Sequence, residues 1–228
     1  MNSEISNLQY MFERHGSPSA GSRLDEGNLK AYDGRLPSVL IDHWREHGLG
    51  IWLKGYFQFC DPEKYEGVLR IVLDGDPDLE PEQSYVIGYW SMGRLLVWNE
   101  KYRRTMIDLV DHRVECPELT GDRKDRSDAR MLRSALSFID LGVHDPGDDE
   151  GNKLFPQLLR KYGPPKFSEI YAPKLHPALG GSMSVENFRP VDAEVAMTLM
   201  AQAAGFDLHR VTTTPTSLID EVVRPIGG

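Results

Sequence analysis

Two apolar runs separated by three residues limit the fold more than any other feature of this sequence. Residues 85–90 and 94–99 are rich in β-branched and aromatic side chains, and Ser91, Met92 and Gly93 lie between them. Gly93 can adopt the positive φ that a three-residue hairpin turn requires. The pattern therefore predicts a β-hairpin, and with it an antiparallel sheet in the first half of the chain.

Short helices and strands are predicted before this hairpin. A helix is expected over 5–14. Pro37 suits the first position of another helix, apolar residues follow at helical spacing, and Gly48 supplies a C-terminal stop. The apolar face of this helix consists of Leu40, Ile41 and Trp44. The aromatic residues of 51–59 predict one or two strands, and 61–73 predict a further helix.

Helices also dominate the second half of the chain. Apolar residues recur at helical spacing in three segments, 131–139, 154–162 and 192–205. Asp148 or Asp149 is expected to cap the second of these helices, and Asp192 the third. The core face expected for the third helix is Val195, Leu199 and Met200. The tail, 212–228, is expected to fray.

These elements predict an α+β fold with two lobes. The N-terminal lobe, 1–112, is expected to hold the antiparallel sheet and short helices. Residues 113–129 are dense in both signs of charge and are interpreted as a charged linker. The C-terminal lobe, 130–228, is expected to be a smaller α+β domain.

The charge of the chain limits its partners. Its 26 basic and 35 acidic side chains give 228 residues a net charge of -9. Nucleic acid and anionic membranes repel such a surface unless positive charge is concentrated locally, so neither is expected as a direct partner. An acidic surface attracts cationic partners instead, and a basic nucleic-acid-binding protein is one such class.

The chain is expected to be located in the cytoplasm. Residues 1–6 have neither a basic n-region nor an apolar h-region, so no signal peptide is expected. No apolar run approaches the roughly 18 residues of a membrane span. Cys60 and Cys116 are far apart and form no CxxC motif, which is typical of two reduced, buried thiols. The sequence does not indicate the oligomeric state.

One motif suggests metal chemistry. His43-Trp44-Arg45-Glu46-His47 matches H-x-x-E-H, in which two histidines on one helix face hold Zn²⁺ and a glutamate is the general base. A zinc hydrolase using His43, Glu46 and His47 is therefore an alternative. However, the motif falls on the last turn before Gly48, and no third ligand is recognisable. No catalytic residue, metal ligand or cofactor site is predicted, and the chain is not expected to be an enzyme.

Acidic residues cluster in two segments. Between Asp61 and Glu82 the balance of charge is strongly negative, and the segment 145–150 contains four carboxylates and no basic residue. Asp74–Asp78 does not suit a calcium loop, because Pro77 stiffens it and the sixth position lacks glycine. The clusters are interpreted either as a solvated surface or as a docking surface for a basic toxin. The candidate binding residues are Asp74, Asp76, Asp78, Glu80, Glu82, Asp145, Asp148, Asp149 and Glu150.

The first lobe resembles the GAD-like domain. The resemblance lies in Leu36-Pro37-x-x-Leu40-x-x-x-Trp44-x-x-x-Gly48, in Gly55-Tyr56-Phe57, and in Asp61-Pro62-x-x-Tyr65. The hairpin with Gly93 and Val97-Trp98-Asn99-Glu100 fits the same domain. The pattern is also similar to the SMI1/KNR4-like superfamily, which has immunity proteins of its own.

The second lobe resembles the uncharacterised domain that often follows a GAD-like domain. Its matching segments are Glu169-Ile170-Tyr171, Leu179-Gly180-Gly181 and Val185-Glu186-Asn187-Phe188. This order of domains is similar to bacterial immunity proteins of type VI secretion systems, which neutralise cognate DNase toxins such as the Tox-GHH type in bacterial competition. The resemblance implies a toxin–antitoxin pair in which this chain is the DNase inhibitor, with no catalytic residues. A non-catalytic regulatory or scaffold module that binds another protein is the alternative.

Overall fold

The computed structural model describes residues 6–19, 21–121, 127–137, 139–140, 142, 144–213 and 217–227. Three helices come first, α1 (Ser6–His15), α2 (Glu26–Ala31) and α3 (Ser38–His47). They are followed by β1 (Ile51–Trp52), β2 (Phe57–Phe59), α4 (Glu66–Leu73), β3 (Ser84–Trp90), β4 (Arg94–Asn99), β5 (Arg103–Asp108) and β6 (Arg113–Glu115). The remaining elements are α5 (Pro117–Thr120), α6 (Asp128–Leu136), α7 (Leu154–Tyr162), β7 (Glu169–Pro173), β8 (Phe188–Asp192), α8 (Ala193–Ala201), β9 (Asp207–Thr213) and β10 (Leu218–Pro225).

The predicted hairpin is present at the centre of the fold. β3 pairs antiparallel with β4, with Val86 opposite Val97. Gly93 in the turn has φ +83°, and a Cβ atom there would lie 2.8 Å from Met200 Cε of α8. Glycine is therefore favoured at this turn by its positive φ, and the flexible end of the Met200 side chain packs beside it. The α+β fold class is confirmed.

Eight strands form one sheet in the order β1-β2-β3-β4-β5-β6-β9-β10, and β7 and β8 form a separate two-stranded sheet. Every residue of β3 is buried, which indicates that both faces of the large sheet are covered. One face packs against α1, α2, α3, α6 and α7 through residues such as Trp90 and Trp98. The opposite face packs against α4 and α8 through residues such as Val97 and Ile107.

The helix predicted to begin near Pro37 is α3. It ends at Gly48, whose φ of +74° is accessible to glycine without strain. Trp44 is buried in the core, as the sequence indicates. The helix predicted over 5–14 is α1, although Ile5 lies outside the described residues.

The segment 113–129, interpreted as a linker, contains β6 and α5. Val114 and Cys116 are buried, so the beginning of this segment contributes to the core despite its many charges. β6 pairs in parallel with β9, and the hairpin β9–β10 thereby extends the sheet of the first lobe. The two lobes share one sheet, and within the tail the residues Leu218–Pro225 form the strand β10 rather than a frayed end. The domain limits themselves stay a prediction.

Two expectations about the second half are wrong. α7 is preceded by Lys153, and neither Asp148 nor Asp149 caps it; Asp145 Oδ1 accepts the hydrogen bond from Phe155 N instead, at 2.9 Å. Asp192 does cap α8, accepting from Val195 N at 3.0 Å. The buried face of α8, however, is Ala193, Ala196, Met197 and Met200. Of the three residues expected there, only Met200 is buried.

Gln58 joins the large sheet to the segment that leads into β7. Its Nε2 donates to Lys166 O at 3.1 Å and to Glu169 O at 3.0 Å. Its Oε1 accepts from Ser168 N at 3.0 Å and from Tyr89 Oη at 3.2 Å. Both donors and both acceptor positions of the buried amide are therefore satisfied, which makes Gln58 a specific link between the lobes.

Candidate partner-binding surfaces

Two of the candidate acidic residues form an internal latch, which consists of Asp76, Asp78 and Arg224. Asp76 is buried and accepts from Arg224 Nη1 at 2.5 Å and Nη2 at 3.0 Å. Arg224 Nη2 also donates to Asp78 Oδ2 at 2.9 Å. The latch ties β10 to the loop after α4, so Asp76 and Asp78 hold the chain together rather than facing a partner freely.

The pKa of Asp76 reflects this internal pairing. Burial alone would raise the pKa, but hydrogen bonds from Arg224 and from the amides of Leu79, Asp78 and Gly227 outweigh it. The pKa is lowered to about 2. A carboxylate that accepts several hydrogen bonds and faces a guanidinium is stabilised in its charged form.

The other acidic residues of this segment face solvent. Asp74, Glu80 and Glu82 are exposed, and Glu80 Oε2 accepts a hydrogen bond from Gln83 Nε2 at 2.5 Å. Exposed carboxylates of this kind contribute to the field around the protein and leave the fold nearly unaffected when they are replaced. These three residues are the accessible part of the first acidic cluster.

The second acidic cluster surrounds the beginning of α7. Asp145 is buried as the cap of that helix, and burial, its largest influence, raises its pKa. Asp148 accepts from Asn152 N at 2.7 Å and from Gln157 Nε2 at 2.8 Å, and the Gln157 bond lowers its pKa. It therefore closes a turn. Within this cluster, Asp149 and Glu150 are exposed.

Asp149 and Glu150 lie at a polar groove of about 480 Å³. Its lining consists of Asp148, Asp149, Glu150, Asn152, Gln157, Arg160, Ser184, Val185 and Glu186. Asp149 Oδ1 also accepts from Met183 N at 3.1 Å, which fixes the groove to the loop before β8. Within the described residues, no hydrogen bond or ion pair connects this cluster to the residues 74–82. The exposed carboxylates are therefore treated as two groups, one with Asp74, Glu80 and Glu82 and the other with Asp149 and Glu150.

The H-x-x-E-H motif lies on α3, where its histidines pack against an aromatic side chain. The rings of His43 and His47 are 5.0 Å apart, and the ring of Phe12 is 5.5 Å and 4.7 Å from them, respectively. Burial, followed by the neighbouring His47, lowers the pKa of His43 to about 4. Across the described residues, no group of three or more His, Cys, Asp or Glu side chains is arranged to hold a metal ion.

The surroundings of both cysteine thiols indicate a structural role. Cys60 is buried, its Sγ donates to Val86 O at 3.3 Å, and burial raises its pKa. Cys116 is also buried, and its pKa is raised by burial to about 11. Because the thiolate is the reactive form, neither thiol is activated for nucleophilic chemistry.

An apolar groove on the C-terminal lobe was not predicted. It has a volume of about 540 Å³ and lies between α8 and the turn that follows β7. Four large aliphatic side chains form its walls with exposed fractions of 48% for Leu175, 60% for Leu179, 61% for Val195 and 64% for Leu199. We call this surface the apolar groove.

A sequence signal for the apolar groove exists in α8. Apolar residues occur on both sides of this helix, so the buried face and the face with Val195 and Leu199 are almost equally apolar. A helix that is apolar all round has more than one face to cover. The sequence did not determine which of these two faces would be buried in the core, because the N-cap Asp192 is compatible with either face.

None of the helices in the described part of the chain combines the length and the apolar character needed to cross a bilayer.

Comparisons with known proteins define the class of this chain. Residues 6–110 match the GAD-like domain, and residues 143–203 match the family described as T6SS immunity protein Tdi1, C-terminal. The order of domains predicted from the sequence is thus confirmed. No curated protein matches the chain.

One solved structure extends this similarity to the whole chain. It is described as "Crystal structure of Atu4351 from Agrobacterium tumefaciens" and is 39% identical, covering 98% of this chain and 98% of that chain with a TM-score of 0.90. The chain belongs to the same family as that protein, and its own residues match a GAD-like domain followed by the C-terminal domain of T6SS immunity protein Tdi1.

Proposed function

We propose that this chain is a cytoplasmic immunity protein that binds and neutralises a cognate nuclease effector of a type VI secretion system. The observation that carries the proposal is the match of residues 143–203 to the C-terminal domain of T6SS immunity protein Tdi1. In this chain, that domain follows a GAD-like domain, which matches residues 6–110.

The charge of the surface supports a nuclease as the partner. A nuclease must attract phosphates, so the groove that holds its substrate is basic. This chain has a net charge of -9 and exposes Asp74, Glu80 and Glu82 in one area and Asp149 and Glu150 in another. Opposite charges accelerate the encounter of two proteins, and an immunity protein benefits from rapid capture of a toxin in its own cell.

Charge alone does not hold such a complex together. Exposed charges at the rim of an interface mainly set the association rate, whereas buried aliphatic or aromatic anchors set the lifetime of the complex. Immunity by binding therefore requires an apolar contact besides the carboxylates. The apolar groove is one surface of this kind on the C-terminal lobe.

A binding experiment tests the proposal. The full chain is mixed with the product of the adjacent gene, inactivated by a substitution in its nuclease site, and passed over a sizing column at about 150 mM salt. We expect a stable complex of both proteins. If the two proteins elute separately and titration calorimetry shows no heat of binding, the proposal is wrong.

A further inference from the structure

The walls of the apolar groove expose more aliphatic surface than a solvated helix and turn require. Val195 and Leu199 are one turn apart on α8, and Leu175 and Leu179 face them across the groove. The floor consists of buried or half-buried small residues, among them Ala172 of β7 and Ala196 of α8. A contiguous exposed apolar surface rimmed by polar residues marks an interaction site.

The two ends of the apolar groove carry opposite charge. Ala172 lies opposite Arg189 in the β7–β8 register, and Glu169 lies opposite Asp192. The exposed side chains of Arg189 and Lys174 therefore line one end, while Asp192 lines the other. Because strand residues advance about 3.3 Å each, the Cα atoms of Arg189 and Asp192 are about 10 Å apart along β8.

This arrangement suits one kind of occupant. About two turns of an α-helix span 10 Å, and such a segment presents aliphatic side chains at i, i+3, i+4 and i+7 along one face. The N-terminus of a helix carries partial positive charge and its C-terminus partial negative charge. Asp192 therefore complements the former, and Lys174 with Arg189 complements the latter.

We infer that the apolar groove is the anchoring site for an amphipathic helix of the effector, with the N-terminus of that helix directed towards Asp192. The inference rests on the proposed function and specifies where and how the partner binds. It is supported by the position of the groove, because Leu175, Leu179, Val195 and Leu199 all lie within the residues 143–203 that match the immunity-protein domain.

The test uses a matched pair of leucines in the full chain. Leu199→Asp places a carboxylate in the groove, and Leu218→Asp makes the same change on β10 at a residue that is equally exposed, 67% against 64%. Val195→Asp is a second groove variant, and Leu199→Ser replaces Leu199→Asp if the latter alters the circular dichroism spectrum. The binding partner is the inactivated product of the adjacent gene, measured by interferometry.

We expect both groove variants to weaken binding at least 50-fold, mainly through faster dissociation, and Leu218→Asp to change it less than threefold. Reversal of the basic end by Lys174→Glu with Arg189→Glu should weaken binding about tenfold, because it repels the C-terminus of the bound helix. Asp192 at the acidic end is left unchanged, because it caps α8 and its loss would disturb the helix itself.

Three results would overturn the inference, and each has a distinct meaning. If the wild type binds and the groove variants bind equally well, the groove is not the anchor, although the proposed function stands. If the wild type alone is a dimer that Leu199→Asp converts into a monomer without loss of effector binding, a second copy occupies the groove. If the wild type does not bind the effector at all, the proposed function is wrong, and so is the inference that an effector helix occupies the groove.

Discussion

Removing the arginine of the latch should destabilise the protein more than removing the arginine of an exposed ion pair. In Arg224→Met, the fully buried side chain of Asp76 keeps its backbone donors but loses its charged partner. Removal of one partner from a buried pair costs about 3–5 kcal/mol. We expect about 3 kcal/mol, the lower end of this range, because the side chain of Arg224 is 25% exposed.

The pH dependence of stability provides a second measure of how much the ionised Asp76 stabilises the folded chain. The pKa of Asp76 is lowered from 3.8 to about 2 in the folded chain. Each pKa unit corresponds to about 1.4 kcal/mol, so the ionised carboxylate contributes about 2 kcal/mol above pH 4. The unfolded chain takes up this proton first as the pH falls, so the contribution is lost between about pH 4 and pH 2. Arg224→Met should lack this part of the pH profile.

The assay is urea unfolding at pH 7 and pH 3, followed by tryptophan fluorescence. Arg70→Met is the control, because the pair Arg70–Glu66 has a separation of 3.4 Å but is more than half exposed on both sides. Exposed pairs contribute about 0.5 kcal/mol or less. Equal unfolding free energies for Arg224→Met and wild type would refute the reasoning.

Three further predictions concern separate parts of the molecule. Because the folded-state pKa of His43 is about 4, the unfolded chain takes up a proton first as the pH falls below 6.5. His43→Phe should therefore remove about 2 kcal/mol of acid destabilisation, measured by urea unfolding at pH 7 and pH 4.5. Gln58→Leu breaks four buried hydrogen bonds and should cost about 3 kcal/mol in the same assay at pH 7. Reversing Asp74, Glu80 and Glu82 to lysine should slow effector association about tenfold at low salt, measured by stopped flow.

Each of these predictions has a result that would contradict it. An unchanged slope of stability against pH in His43→Phe would contradict the assignment of a buried neutral ring. Gln58→Leu is compared with Gln83→Leu, whose amide is less buried; equal costs would show that the link between the lobes contributes little. Replacing Asp149 and Glu150 with lysine shows which group of exposed carboxylates steers the effector. If the association rates of both charge-reversal variants and of the wild type do not depend on salt, electrostatic steering is excluded.

The sequence predicted the elements whose signals are local. The hairpin around Gly93 requires a positive φ at one position, and the helix that ends at Gly48 requires a stop and a periodic face. Both signals act within a few residues, so neither depends on the rest of the chain. The fold class was therefore accessible without a structure, and the order of domains followed from the resemblance to known families.

The sequence did not predict features that depend on distant partners. Asp76 and Arg224 are separated by 148 residues, and nothing in the local pattern distinguishes this carboxylate from the exposed Asp74. The pairing of β6 with β9 joins a charge-rich segment to the tail, and its few apolar residues, such as Val114, gave a weak strand signal. The phase of α8 depended on which of two apolar faces the sheet would cover.

The candidate site was therefore predicted only in part. Composition indicated an acidic surface, and the structure divides the carboxylates into those that stabilise the chain, such as Asp76 and Asp145, and those that face solvent, such as Asp74 and Glu150. Substitution of the first kind would weaken binding through unfolding and would be mistaken for loss of an interface. Charge experiments on this protein should be confined to the exposed carboxylates.

The most direct test of the central claim is a titration of nuclease activity. Cleavage of plasmid DNA by the active product of the adjacent gene is measured while the purified chain is added. We predict that cleavage falls linearly and stops at an equimolar ratio, because a tight complex sequesters one effector per chain. Undiminished cleavage at a tenfold molar excess of a folded chain would contradict the account.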